Sequence, residues 1–394
     1  MERLRIAMFS DSALPVLNGV SISVDALIRE LRDRGHSVHL YAPRIPGHRD
    51  EDPNTFRCRA INTPWAAEYP LAIPPFYRSL RRFRRSTYDL VHTHTPFSMG
   101  MVGLRWAESH ELPIVSTYHT LYDRYAHYLA AFPRRYARFR IAKHTNFYYN
   151  SVDSVITPSE VSMKWLRRHS VTKPIAVVPT GAPRRSFLNR AECRAGLGLP
   201  PDLRVMLYVG RLAREKNLNA LFEAAARCFA VDRSLRLFVV GNGPYQAECA
   251  EAARRLGIGD RVRFFGFVPR AEVDRYYAAA DLFVFPSITE TQGLVVQEAM
   301  SYGLPAVAIA GGGASAGIEP GVNGLVVRND PDEFAKGVLR VFADDALHAS
   351  MSAAAARSVR GHGLDEMTEG ILEVYRDAIR SRGEEARSDR FAWI

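Results

Sequence analysis

The sequence predicts an α/β protein built from two doubly wound halves, each a parallel sheet covered by helices on both faces. Three observations lead there. Short, continuous apolar runs alternate with amphipathic helical stretches for most of the length, the pattern of strands buried on both faces. The alternation restarts near Arg204, after a polar stretch bearing Pro and Gly. The 394 residues also exceed what one ordinary core holds.

In chain order, the first half offers strands at Leu4–Phe9, Val38–Ala42, Leu90–His92, Pro113–Thr117, Ser154–Thr157 and Ala176–Val178. The second half offers Val205–Val209, Leu235–Val240, Val262–Phe265, Leu282–Phe285, Ala306–Ile309 and Leu325–Val327. These runs set the expected domains: residues 1–182, a linker over 183–203, and a second domain over 204–365. A last helix over about 366–385 is expected to pack back on the first domain. Ligands of such sheets bind outside the carboxyl ends of the strands.

The formal net charge is +10, which favours an acidic partner: a nucleotide, a nucleic acid or anionic lipid. No apolar run approaches the ~20 residues that span a bilayer. The N-terminus enters a strand-like run without a signal-peptide pattern, so a cytoplasmic location is expected. Cys58, Cys193, Cys228 and Cys249 are scattered, with neither metal-ligand spacing nor a disulfide framework, which fits a reducing compartment.

The most informative stretch runs from Pro286 to Met300. An apolar strand enters a polar loop, and Gly293 then opens an apolar helix. The first turn of a helix presents unpaired N–H groups and a positive dipole end, so it attracts phosphate. Glu290 precedes the turn and Glu298 lies inside the helix; the segment between them rises at most ~12 Å if helical. Glu298 sits among Val295, Val296, Ala299 and Met300, where an unpaired carboxylate is costly. Upstream, Gly210-Arg211 follows a strand and Lys216 opens the next helix, so a fork-shaped and a point cation flank a strand end. They suit a diphosphate, and equally two solvated cations. Gly241-Asn242-Gly243-Pro244 reads as a turn or a close backbone approach. Phe265-Gly266-Phe267 suits base stacking or plain packing, and Gly311-Gly312-Gly313 suits a phosphate loop or a flexible one.

Taken as a set, Gly210-Arg211 with Lys216, Glu290 to Glu298, and Gly303-Leu304-Pro305 resemble the donor half of retaining glycosyltransferase family 4, whose fold is GT-B: two doubly wound Rossmann-like domains facing across a cleft. The resemblance implies that Arg211 and Lys216 grip a donor diphosphate and that Glu290 contacts the donor sugar. It further implies that the amides of Leu294 and Val295, after Gly293, face phosphate and that Glu298 holds the ribose. In the first half it implies a backbone approach at Gly19, where this chain has Asn18-Gly19 rather than a glycine pair. G-x-G-x-x-G is absent, which argues against a nicotinamide domain.

Ser116-Thr117-Tyr118-His119-Thr120 follows the fourth strand. The resemblance puts His119 before the reacting sugars, where imidazole suits a hydrogen bond or proton handling near neutral pH. The run from Thr117 to Tyr128 is similar to bacterial diacylglycerol glucosyltransferases of the family, which makes Tyr118, Tyr122 and His127 acceptor-side candidates and UDP-glucose the favoured donor. Thr93 to Gly100, Pro179-Thr180-Gly181 and Thr289 to Gly293 share that likeness, and mannosyltransferases of phosphatidylinositol share parts of it. No metal and no cofactor beyond the donor is expected. His92 with His94, and His119 with His127, have metal-like spacing without a completing carboxylate or Cys set. Asp50-Glu51-Asp52 reads as a solvated loop.

Two segments are dense in Arg and aromatics, Phe76 to Arg85 and Phe132 to Arg140. Basic amphipathic helices lie on anionic interfaces, so a peripheral position at the inner face of the cell membrane is expected, with a lipid acceptor and without nucleic acid. The alternatives are two solvated helices, a soluble acceptor of sugar or phosphatidylinositol type, or a noncatalytic GT-B-like binding module. Arg211, Lys216, Glu290 and Glu298 argue against the last.

Overall fold

A computed structural model describes residues 3–16, 18–63, 66–122, 133–181, 188–361 and 363–391. The chain divides into two compact units, Met1–Gly181 with Leu364–Ile394, and Ala182–Gly363.

The first unit runs β1 (Arg5–Phe9), α1 (Gly19–Asp33), β2 (Ser37–Pro43), β3 (Thr55–Cys58), β4 (Ala60–Thr63), β5 (Ala66–Ala72), α2 (Tyr77–Arg85), β6 (Leu90–Thr93), α3 (Ser98–Glu108), β7 (Ile114–Thr117), α4 (Arg134–Asn150), β8 (Ser154–Thr157), α5 (Glu160–Arg168) and β9 (Ile175–Val177). Its seven-stranded sheet has the order β3-β2-β1-β6-β7-β8-β9, and its ladders are parallel. The order reverses at β1 and β6, where Met8 lies between Leu40 and His92. Side chains alternate along β1. Ile6 and Met8 enter one core layer and Ala7 and Phe9 the other, because successive Cβ atoms of a strand point to opposite faces.

Two elements go beyond the sequence pattern. β3 carries Thr55 and Arg57 among its four residues and is an edge strand, so it lacks the continuous apolar run that marks buried strands. β4 and β5 form a separate antiparallel pair.

The second unit runs α6 (Arg190–Gly196), β10 (Arg204–Val209), α7 (Leu218–Val231), β11 (Leu235–Val240), α8 (Gln246–Arg255), β12 (Val262–Gly266), α9 (Arg270–Ala279), β13 (Leu282–Phe285), α10 (Leu294–Ser301), β14 (Ala306–Ile309), β15 (Gly324–Val327), α11 (Pro331–Ala343) and α12 (Asp345–Ser358). Its six-stranded parallel sheet has the order β12-β11-β10-β13-β14-β15, reversing at β10 and β13. The stretch expected as a linker carries α6, which is anchored within this unit. Arg190 and Arg194 both reach Asp281, at 2.5 and 3.4 Å.

The last helix, α13 (Leu364–Phe391), belongs to the first unit. Met367, Ile371, Leu372 and Tyr375 enter the core layer shared with Val24, Leu27 and Ile28 of α1. Arg34, after α1, bonds Asp365 and Glu369 at 3.2 Å each. Among the described residues no helix is long and apolar enough to cross a membrane.

Candidate active site

In the second unit, the loops leaving β10, β11 and β12 are joined by backbone hydrogen bonds. Gly210 N donates to Val240 O at 3.0 Å, Leu212 N to Asn242 O at 2.9 Å, and Gly241 N to Gly266 O at 2.8 Å. A Cβ on Gly241 would lie 2.0 Å from Gly210 O, and one on Gly243 2.2 Å from Leu212 O. These glycines let one loop lie against the next, which is the close approach their sequence suggested, made by the protein's own backbone.

Lys216 ends a short 3-10 turn, Arg214–Lys216, and its Nζ bonds the Glu290 carboxylate. Ser287 Oγ donates to the same oxygen, Glu290 Oε1, at 3.1 Å. Asn217 follows with φ 57° and donates to Pro286 O at 3.2 Å, which ties the β10 exit to the β13 exit. Two segments 74 residues apart in the chain are thus locked together. Arg211 is half-buried beside them, its carbonyl accepting from the Tyr208 hydroxyl at 3.1 Å.

Gly293 has φ 76°, a left-handed conformation costly for other residues, and it opens α10. A Cβ there would also lie 2.5 Å from Ala314 Cβ. Among the described residues no side chain caps this helix end, and Leu294 and Val295 are half-buried in its first turn. The triple-glycine loop packs against the same corner. Gly313 N donates to Glu290 O at 2.6 Å, and a Cβ on Gly313 would lie 1.8 Å from Thr291 O. Glu298 is buried, and its two oxygens are held separately. Arg270 reaches Oε1 at 2.7 Å and the Tyr277 hydroxyl donates to Oε2 at 2.9 Å. Those two partners come from α9, and nothing in the local sequence around Glu298 points to them.

In the first unit, Asn18 caps α1. Its side chain accepts from Val20 N at 3.0 Å and Ser21 N at 2.9 Å, and Ser21 Oγ accepts from Asn18 N at 3.1 Å. The departure from a glycine pair therefore has a local role: it satisfies orphan helix donors. Gly19 is exposed, and a Cβ there would meet nothing within 4 Å, so no internal packing requires this glycine.

Near the carboxyl ends of β6 and β7 stand three imidazoles, His92 within β6 and His94 and His119 just past the two strands. His92 Nδ1 is 2.6 Å from the Tyr375 hydroxyl and Nε2 is 2.7 Å from Thr117 Oγ1. His94 Nδ1 is 3.0 Å from His119 Nε2. Burial pushes His92 down to about 3 and His119 down to about 4, and holds His94 well below the usual range. Desolvation disfavours the His119 imidazolium, which suits the hydrogen-bonding one of the two roles expected for it. Among the described residues no group of three or more His, Cys, Asp or Glu is placed to hold a metal.

Tyr118 and Tyr122, expected to face an acceptor, lie in the aromatic core. Tyr118 is 0% exposed and stacks on Trp165 at 5.4 Å, with Tyr122 edge-on to it at 5.7 Å. Alternation along the chain turns Tyr118 inward and leaves His119 half-exposed. His127 lies outside the described residues.

Asp50 and Asp52 are not a solvated pair. Asp50 bonds Arg57 at 2.6 Å and Asp52 bonds Arg32 at 3.0 Å. Desolvation works to raise both carboxyls, and the hydrogen bonds, from Arg57 on Asp50 and from Asn54 N, Thr55 and Arg32 on Asp52, overcome it, leaving both lowered. Sequence reasoning missed Asp11. It accepts from Thr95 at 2.5 Å, from Met99 N at 2.9 Å and from Ser98, a carboxylate at the dipole-positive end of α3. Its partners lie at least 84 residues away, so no local signal announces it.

The two basic helices differ. α2 turns Phe83 into the core, against Tyr88 and Trp106 at 4.9 and 5.1 Å, and leaves Arg78, Arg81, Arg84 and Arg85 outside. α2 also exposes Tyr77, 78%, while α4 exposes Tyr136 48%, Phe139 61% and Phe147 55% and buries Tyr148 and Tyr149. Arg140 and Lys143 are exposed on the same stripe, since positions three, four, seven and eleven residues on from Tyr136 share one helical face.

A family model described as Glycosyltransferase Family 4 matches residues 17–184, and one described as Glycosyl transferases group 1 matches residues 189–358. The chain is 32% identical over 319 residues to an alpha-monoglucosyldiacylglycerol synthase of Streptococcus pneumoniae, covering 77% of this chain and 71% of that protein. It is 30% identical over 412 residues to a D-inositol 3-phosphate glycosyltransferase of Corynebacterium diphtheriae, covering 96% of each. Among solved structures it is similar to sucrose-phosphate synthase of Thermosynechococcus elongatus, with a TM-score of 0.79 and 25% identity, over 96% of this chain and 100% of that one.

Proposed function

The chain belongs to glycosyltransferase family 4 and has the GT-B fold, and from that premise we propose that it moves glucose from UDP-glucose to a hydroxyl of a lipid such as diacylglycerol, with retention at the anomeric carbon. It is a glycosyltransferase; the hexose, the lipid and the stereochemistry are the reading. The observation that carries it is the end of α10. Gly293 opens a helix that no described side chain caps, with the ion-paired Glu290 before it and the buried Glu298 within it. That arrangement suits a sugar, a diphosphate and a ribose in sequence.

In the proposed reaction the acceptor oxygen bonds to the anomeric carbon as the bond from that carbon to the phosphate oxygen breaks. The bonding pair leaves on the diphosphate, which takes the acceptor's proton on the same face. Arg211, Lys216 and the amides of Leu294 and Val295 stabilise the charge developing on that phosphate. Glu290 orients the sugar hydroxyls and Glu298 the ribose. His119, neutral, offers a hydrogen bond to the sugar. The donor contacts need no metal.

The lipid acceptor is supported by the similarity to the streptococcal synthase and by α4, whose exposed aromatics and cations suit an anionic interface. This face makes the protein peripheral at a membrane surface. The similarity to the inositol-phosphate enzyme favours a second reading, a water-soluble inositol phosphate acceptor. One screen separates them. Radiolabelled UDP-glucose, UDP-galactose and GDP-mannose are offered with diacylglycerol in anionic vesicles or with D-inositol 3-phosphate. A glycolipid from UDP-glucose alone is the expected outcome. A water-soluble product instead moves the acceptor to the second reading.

A further inference from the structure

The imidazole pair in the first unit has a property that follows from hydrogen-bond accounting. His94 is 1% exposed, its ring clamped between His92 and His119 with ring centroids 4.1 and 5.3 Å away. Its Nδ1 lies 3.0 Å from His119 Nε2. Two neutral imidazoles in contact share one N–H and one lone pair, so one ring donates and the other accepts. His94 Nε2 is buried and has no hydrogen-bond partner among the described residues. Were the His94 proton on Nε2, a buried N–H donor would be left unsatisfied, which is the costlier orphan. With the proton on Nδ1, only a lone pair goes unmet.

We propose that His94 is a positioning residue that donates from Nδ1 to His119 Nε2, and so fixes His119 as the tautomer protonated on Nδ1. The hydrogen bond at one ring nitrogen decides which state the other adopts. His119 then serves the sugar as a hydrogen-bond donor and is ruled out as a base through Nε2, which is already occupied by His94. His92 completes the clamp. Both its nitrogens are engaged, by Tyr375 of α13 and by Thr117 of β7, so its ring is fixed beside His94, tilted 43° to it. The C-terminal helix thereby helps set a tautomer on a loop more than 250 residues earlier in the chain, since its Tyr375 lies 283 residues from His92.

The proposal rests on the reading of His119 as a sugar-facing residue, and its test begins where activity is not needed. Nitrogen-15 NMR of the histidine rings distinguishes protonated from bare ring nitrogens, with His119 assigned by the signals lost in His119→Gln. The wild-type protein is expected to show His119 protonated on Nδ1 and bare on Nε2. His94→Asn places an amide N–H near the Nδ1 position and is expected to keep that pattern. His94→Leu removes the donor and is expected to shift the His119 proton toward Nε2. In the transfer assay His94→Leu is expected to lower kcat roughly tenfold with little change in donor KM, and His94→Asn to recover most of the rate. A wild-type His119 protonated on Nε2 overturns the proposal. So does a His119 pattern unchanged in His94→Leu. Should His94→Leu fail to fold, the wild-type and His94→Asn spectra still decide the tautomer. An absence of transfer with every substrate bears on the functional reading and leaves the tautomer result standing.

Discussion

At the strand ends of the second unit, charge is held by charge: Lys216 against Glu290, and Arg270 against Glu298. At the strand ends of the first unit stand His92, His94 and His119, kept neutral by burial. Both arrangements satisfy polar groups away from water, by different physics. In the second unit each of these charges lies against an opposite one, whereas in the first unit desolvation disfavours the imidazolium form. The difference teaches a division of labour. On the function proposed above, fixed cations would serve the donor diphosphate and directional neutral groups the sugar hydroxyls.

The comparison breaks most readily at Lys216. Lys216→Ala removes the cation and takes from the Glu290 carboxylate the counter-ion it holds in the wild type. The expected loss in kcat/KM for transfer is roughly 100-fold or more, the scale of removing one preorganised group that stabilises transition-state charge. Unchanged turnover in this variant would falsify the assignment of the charged cluster to the reaction.

Next comes Glu298→Gln, which keeps the shape and the Tyr277 contact but deprives Arg270 of its anion. Donor KM is expected to rise about tenfold with kcat nearly kept, since about 1.4 kcal/mol of binding separates the two. A kcat loss with KM unchanged would move Glu298 from holding the donor to the chemical step.

Acid sharpens the contrast. The folded-state values of His92 and His119, about 3 and about 4, lie below the 6.5 of an unperturbed imidazole. Between those values the unfolded chain binds more protons, so stability falls as pH drops below about 6.5. His36 and His39 of the same unit are also lowered, first by desolvation. Each such group contributes a slope of up to about 1.4 kcal/mol per pH unit. Calorimetry from pH 7 to 5 is expected to show the first unit's transition moving down and the second unit's nearly still. A parallel shift of both would remove the contrast.

The smallest effect is at Asn18. Asn18→Ala strips the cap of α1 and is expected to cost about 1 kcal/mol of stability, read as a lowered Tm. A neutral result would mean that neighbouring groups or water satisfy those helix donors.

The donor-side features were legible because they are local. Gly293, Glu290 and Glu298 lie within nine residues, and a strand, a turn and a helix start can be read from period and glycine alone. The same locality hid their partners. Arg270 and Tyr277 sit on α9, far enough upstream that no periodicity connects them to Glu298. Asp11 was invisible for that reason, since its value lies in a helix end supplied by Thr95, Ser98 and Met99. The dense Arg and aromatic content of α2 and α4 reads alike in sequence, yet Phe83 fills the core and Phe139 faces outward.

By itself the sequence determined two parallel α/β halves, because apolar runs of strand length must be covered on both faces, and it determined the family, because its donor blocks keep their order and spacing. Tertiary structure alone decided which carboxylates are paired, which histidines are desolvated and which aromatics of the basic helices are exposed. Those properties depend on desolvation and on partners brought together from distant strands, and neither is a function of neighbours in the chain.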